Sequence, residues 1–122
     1  MSLKKSPDGN YVIMKMIGNI DRVIAMKNNI KAHKYASKYG INCFLLDLTE
    51  CRNNESIIDN HKFAYKDMNV PDINKLARIA MLVDPEDHSH DFIEVVTRNS
   101  GLNVKKFISL EEAVRFLSES IK

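Results

Sequence analysis

The chain has 122 residues, 44% of them hydrophobic and 28% charged, with 18 basic and 16 acidic side chains and a formal charge of +2. That length supports one domain with a core of its own, and the near balance of charge offers no concentrated basic face of the kind nucleic acid requires. No apolar stretch approaches the roughly 18 residues of a membrane span and no signal peptide opens the chain, so a cytoplasmic protein with no transmembrane segment is expected.

In chain order, Pro7-Asp8-Gly9-Asn10 is a tight-turn signal that folds Leu3 to Lys5 back onto a strand from Tyr11 to Ile17. Asp21 then offers an N-cap to a helix running to about Tyr39, and Gly40 closes it. On that helix Met26, Ile30, His33 and Ser37 share a face with Ala25, Ala32 and Ala36. Ile41 to Leu48 reads as a buried strand, Thr49 to Asn54 as a polar loop, and about Ser56 to Met68 as a helix with Ile57, Ala64 and Met68 in its stripe. Val70-Pro71-Asp72 breaks it, because the residue before proline disfavours helix.

Leu76 to Val83 is the second apolar strand, and a helix follows from about Asp91 to Asn99, stopped by Ser100-Gly101. The last strand is Val104 to Ile108. Ser109 caps the final helix, Glu112 completes its capping box, and Leu110, Ala113, Val114, Leu117 and Ile121 form its apolar stripe. Cys43 reads as a buried thiol and Cys51 as a loop thiol, both reduced, in keeping with a cytoplasmic setting.

Continuous apolar runs with little alternation suit strands covered on both faces. The order β-α-β-α-β-α-β-α predicts an α/β fold: a four- or five-stranded, mainly parallel sheet in one domain, with helices packed on it. Functional loops then gather at the carboxyl ends of the strands, at Gly18 to Asp21, Thr49 to Ser56, Asp84 to Asp91 and the Ser109 junction.

Gly9-Asn10-Tyr11-Val12 leading to Gly18, Leu46-Asp47-Leu48, Ala77-Arg78-Ile79-Ala80, and Val104-Lys105-Lys106-Phe107 before Glu111 to Leu117 resemble the SpoIIAA-like branch of the STAS superfamily, the sulfate-transporter and anti-sigma-factor-antagonist domains. The resemblance spans about residues 8 to 118. It implies a STAS-type fold, akin to the lipid-carrying SEC14-type domains. It also implies a phosphorylatable serine at a helix start. Ser56, after Glu55 and nine residues beyond Asp47, stands at about that place, with Ile57 and Ile58 where the family motif has serine and glycine.

Each candidate site has a plain reading beside a chemical one. Ser56 is an N-cap with Asp59 three residues on, or a phosphorylation site where the helix dipole favours phosphate and Glu55 and Asp59 repel it. In Asp84-Pro85-Glu86-Asp87-His88-Ser89-His90-Asp91, His88 and His90 can join Asp84 or Asp91 as metal ligands, or one can act as a general base. The plain reading is a capping box at Asp91-x-x-Glu94 with solvated histidines. His33 reads as a packing histidine, His61 and Tyr65 as surface neighbours, and Arg78 as a charge at the sheet rim. Met14, Met16, Met26, Met68 and Met81 suit a plastic core, or the lining of an apolar pocket.

The expected function is a small regulatory module acting through a protein partner or self-association. Its ligand or partner contacts are expected at Asp47, Ser56, Asp84, His88 and His90. A carrier of an apolar small molecule or lipid is the alternative, and a metal-assisted enzyme on His88 and His90 the third reading. No catalytic residue, resident metal or cofactor is assigned.

Overall fold

Among the described residues, five strands and four helices account for the architecture: β1 (Ser2–Lys5), β2 (Val12–Ile20), α1 (Arg22–Lys38), β3 (Cys43–Asn53), α2 (Ile57–Lys62), β4 (Arg78–Leu82), α3 (Asp91–Asn99), β5 (Asn103–Phe107) and α4 (Leu110–Ser118). They come from a computed structural model that describes residues 1–119. The strands lie in sequence order in one sheet; β1 is antiparallel to β2 and the other neighbours are parallel. The α/β class and the mainly parallel sheet are those expected. No described helix is long and apolar enough to cross a membrane.

The layering follows from handedness. Three successive right-handed crossovers, each stepping one strand in the same direction, place α1, α2 and α3 on one side of the sheet. Alternation along the strands therefore splits the core in two. Val12, Met14, Phe44, Ile79, Met81 and Val104 face these helices, joined by Ala32 and Ala36 of α1. Cys43, Leu45, Ala80 and Leu82 face the other way, against Ala113 and Leu117 of α4. Phe44, Ile79 and Leu82 are only 2%, 4% and 9% exposed, so the middle strands are dry on both sides. Ile121, the last member of the expected α4 stripe, lies outside the described residues.

The caps explain where elements begin and end. Asp21 accepts a hydrogen bond from Ile24 N (2.8 Å), and Ser109 accepts one from Glu112 N (3.3 Å). Gly40, at φ +67°, takes the left-handed turn that ends α1. The Pro7 to Asn10 turn closes the β1–β2 hairpin, with Gly9 N donating to Ser6 O (2.9 Å).

Several boundaries differ from expectation for physical reasons. β3 runs on through Thr49 to Asn53 because it carries an extra residue: Lys15 pairs with Asp47 and Ile17 with Glu50, so two steps of β2 match three of β3. The bulge shifts the phase of alternation, puts Leu48 and Cys51 on the same core face, and gives polar residues a strand position. Cys51 is thus buried in a strand, not in a loop. The second helix loosens at its end, its last turn being a π-helical segment at Phe63–Asp67. Ile57, expected in its buried stripe, is exposed, as is its neighbour Ile58. β4 starts at Arg78, because Leu76 N is drawn into a turn on Asn74 Oδ1 (3.0 Å) and its side chain stays in water. On α1, Asn28 and Asn29 are buried beside His33; Asn28 donates to Met16 Sδ (3.3 Å) and Asn29 to Ala25 O (2.8 Å).

Candidate functional site

Between the helical layer and the sheet is a cavity of roughly 80 Å³. Met16, Leu46, Leu48, Ile79 and Met81 from the strands form its floor. Ala25 of α1, Phe63 and Met68 after α2, and Ile93 of α3 form its walls. Branched side chains leave irregular gaps, and methionine, which could fill them, is flexible enough to yield to a guest. The volume exceeds several-fold the ~10–15 Å³ one water needs, and is a little over half of the ~150 Å³ that accepts benzene. A short alkyl chain, admitted as the methionines yield, is the chemical match.

Polar groups stand at one end, where the carboxyl ends of β2 and β3 meet the starts of α1 and α2. Arg22 ties this end together. Its backbone N–H donates to Glu55 Oε1, and its guanidinium makes two bonds to Asp67, at 2.5 and 2.8 Å. Asn53 Nδ2 donates to Asn60 Oδ1 (2.9 Å), and Asn53 Oδ1 accepts from Glu55 N (3.0 Å). Bidentate pairing of this kind fixes geometry as well as charge. The mouth therefore offers carboxamides and carboxylates around one neutralised cation.

His90, just before α3, closes the wall beside this end. It is 1% exposed, and its Nε2 donates to the Cys51 carbonyl at 2.9 Å, with Asp87 Oδ2 3.6 Å away. Because a carbonyl only accepts, Nε2 carries a proton. Burial opposes charge on Asp87, but hydrogen bonds from Ser89, together with His90 and Arg52, outweigh it and hold the carboxyl below the usual range. Burial, with Asp87 adding to it, pushes the Cys51 thiol up to about 11, so this sulfur is a neutral packing group.

The expected site residues do not converge. Asp47 lies at the β3 bulge, where its Oδ1 accepts from Thr49 N (3.1 Å) and Thr49 Oγ1 (2.6 Å). Ser56 is exposed and caps α2, its Oγ accepting from Asp59 N at 3.1 Å. Ser56→Ala should cost about 1 kcal/mol in a urea titration, the usual worth of such a cap; an unchanged midpoint would contradict the role. Asp84 organises its own turn, accepting from Glu86 N (2.8 Å), and borders a separate open depression with Glu50, Glu86 and Asp87.

The two loop histidines part company. His88 is exposed and meets Asp91 at 3.1 Å, whereas His90 is buried in the cavity wall, contrary to the expectation that both are solvated. The Asp91-x-x-Glu94 capping box is also corrected. His90 precedes the first turn without a side-chain cap, Asp91 pairs with Lys106 and His88, and Glu94 accepts from Lys106 N (2.5 Å). Among the described residues, no group of three or more His, Cys, Asp and Glu side chains is placed to hold a metal ion. Arg78 Nε is buried without a hydrogen-bond partner among them, its guanidinium 4.2 Å over the Phe116 ring.

No family model matches the chain, and no curated protein matches it.

Of the cavity residues, the sequence signalled the methionines, as a possible pocket lining, and His90, as a ligand contact. Arg22, Asn53 and Asn60 carried no signal, because their partners lie 45, 7 and 7 residues away along the chain.

Proposed function

We propose that this chain binds a small apolar or amphiphilic molecule between its helical layer and its sheet. The observation that carries the reading is an apolar cavity with a few convergent polar groups at its mouth, the ordinary make-up of a small-molecule pocket. Asp21, Glu55 and Asp67 outnumber Arg22 at that mouth, which disfavours an anionic head group. A neutral hydroxyl or amide suits it better. Octanol should perturb the amide NMR signals of Met16, Leu46 and Met81 saturably, and octanoate should do so at least tenfold more weakly. Non-saturable, scattered shifts with octanol would reject the reading.

A regulatory module of the STAS type is the second reading. It is supported by the strand–helix alternation that the resemblance implies and by Ser56 standing exposed at a helix start. A cytoplasmic setting fits both readings, since neither Cys43 nor Cys51 is in a disulfide.

A further inference from the structure

The first turns of three helices crowd around the cavity mouth, and each exposes an apolar side chain. Val23 is 77% exposed and Ile57 70%, with Ile24, Ile58 and Phe92 also in water. The backbone bond from Arg22 to Glu55 holds the α1 and α2 tips side by side, and the Arg22–Asp67 pair ties the start of α1 to the π-helical turn. Exposed aliphatic residues in isolation are ordinary, but a cluster on neighbouring helix tips beside an apolar cavity is a docking surface.

The charges behind these tips say what docks. α1 carries five basic residues and no acidic one. Lys27, Lys31, Lys34 and Lys38 follow Val23 at spacings of three or four, so they form one outward stripe. α2 and the π-helical turn repeat the arrangement: Lys62 and Lys66 succeed Ile58 at four-residue steps, all three exposed. Of the nearby acids, Asp67 is paired with the Arg22 guanidinium, while Asp21, Glu55 and Asp59 accept from Ile24 N, Arg22 N and the Ser56 hydroxyl at the helix starts and keep their charge, so the six lysines still outnumber them along the two helices. Both helices lie in the same layer, so aliphatic tips and lysine flanks share one side of the molecule.

We infer that the α1–α2 layer docks on an anionic membrane surface, the aliphatic tips entering the acyl boundary while the lysine stripes lie along acidic head groups. A nucleic acid would meet the lysines and leave Val23, Ile24, Ile57 and Ile58 in water, whereas a bilayer satisfies both. The inference deepens the ligand-binding reading, because the cavity then opens toward the phase where an amphiphile resides.

Sedimentation with vesicles tests docking apart from the cavity, which lipid-free octanol titration reads separately. At about 0.1 M salt, where charges a few ångströms apart are only partly screened, the protein should sediment with phosphatidylserine–phosphatidylcholine vesicles and not with phosphatidylcholine alone. Val23→Asp with Ile57→Asp should weaken this binding about a hundredfold or more. Lys27→Gln and Lys31→Gln should each weaken it roughly fivefold. All four positions are exposed, and unchanged thermal melts would verify folding. Absence of sedimentation with acidic vesicles, full binding by the double aspartate variant, or tighter binding to duplex DNA than to vesicles would each overturn the inference.

Discussion

Ala25→Leu should lose at least tenfold in octanol affinity while the empty protein melts at or above the wild-type temperature. Ala25 lines the cavity from α1, and leucine is a good helix former at that position. Three added carbons would occupy much of the roughly 80 Å³ now open. At about 24 cal/mol per Å³ of void, closing the whole space is worth ~2 kcal/mol, so a gain of about 0.5–2 kcal/mol is reasonable. Opposite signs in the two readouts separate this outcome from simple damage, which would lower both. Wild-type affinity in the variant would mean that octanol binds elsewhere.

Mild acid should destabilise the fold through one residue, His33. Its ring stacks on Phe44 at 4.4 Å between centroids, and its Nδ1 accepts a hydrogen bond from Asn74 N at 3.0 Å. Burial lowers its pKa from 6.5 to about 4. The native imidazole is therefore neutral where the unfolded one is already charged, and the unfolded state binds the extra proton. Stability from this source is complete above pH 6.5, falls by up to ~1.4 kcal/mol per pH unit below it, and levels off near pH 4. The total is on the order of 3 kcal/mol. Asp87 and Asp91, whose carboxyls are held below their ordinary 3.8, add their loss only beneath that window. His33→Leu should be less stable at neutral pH, because Asn74 N loses its acceptor, yet flatter between pH 6.5 and 4. An acid limb as steep as in the wild type would refute the assignment.

The alternation of elements could be read because most of its determinants are local: Asp21, Ser56 and Ser109 as caps, Gly40 as a stop, and unbroken apolar runs around Phe44 and Ile79. What escaped was non-local. The β3 bulge makes Thr49 to Asn53 look like a loop, since one extra residue breaks the period-two pattern that marks a strand. His90 sits in a run of charged residues and is buried only because the carbonyl of Cys51 lies 39 residues earlier at the right place. The overall +2 charge likewise hid the cationic outer side of α1, for a net value carries no information about distribution. The candidate site was legible only as a hint, in His90 and in methionines spaced far apart that the fold brings to one cavity.

The lopsided layering has a bearing on synthesis. Three helices shield one side of the sheet as each strand is added, but the side bearing Cys43, Leu45, Ala80 and Leu82 depends on α4 for its cover. A nascent chain that has delivered β5 and not yet α4 holds a finished sheet with an oily flank, a natural target for chaperones and a nucleus for clumping.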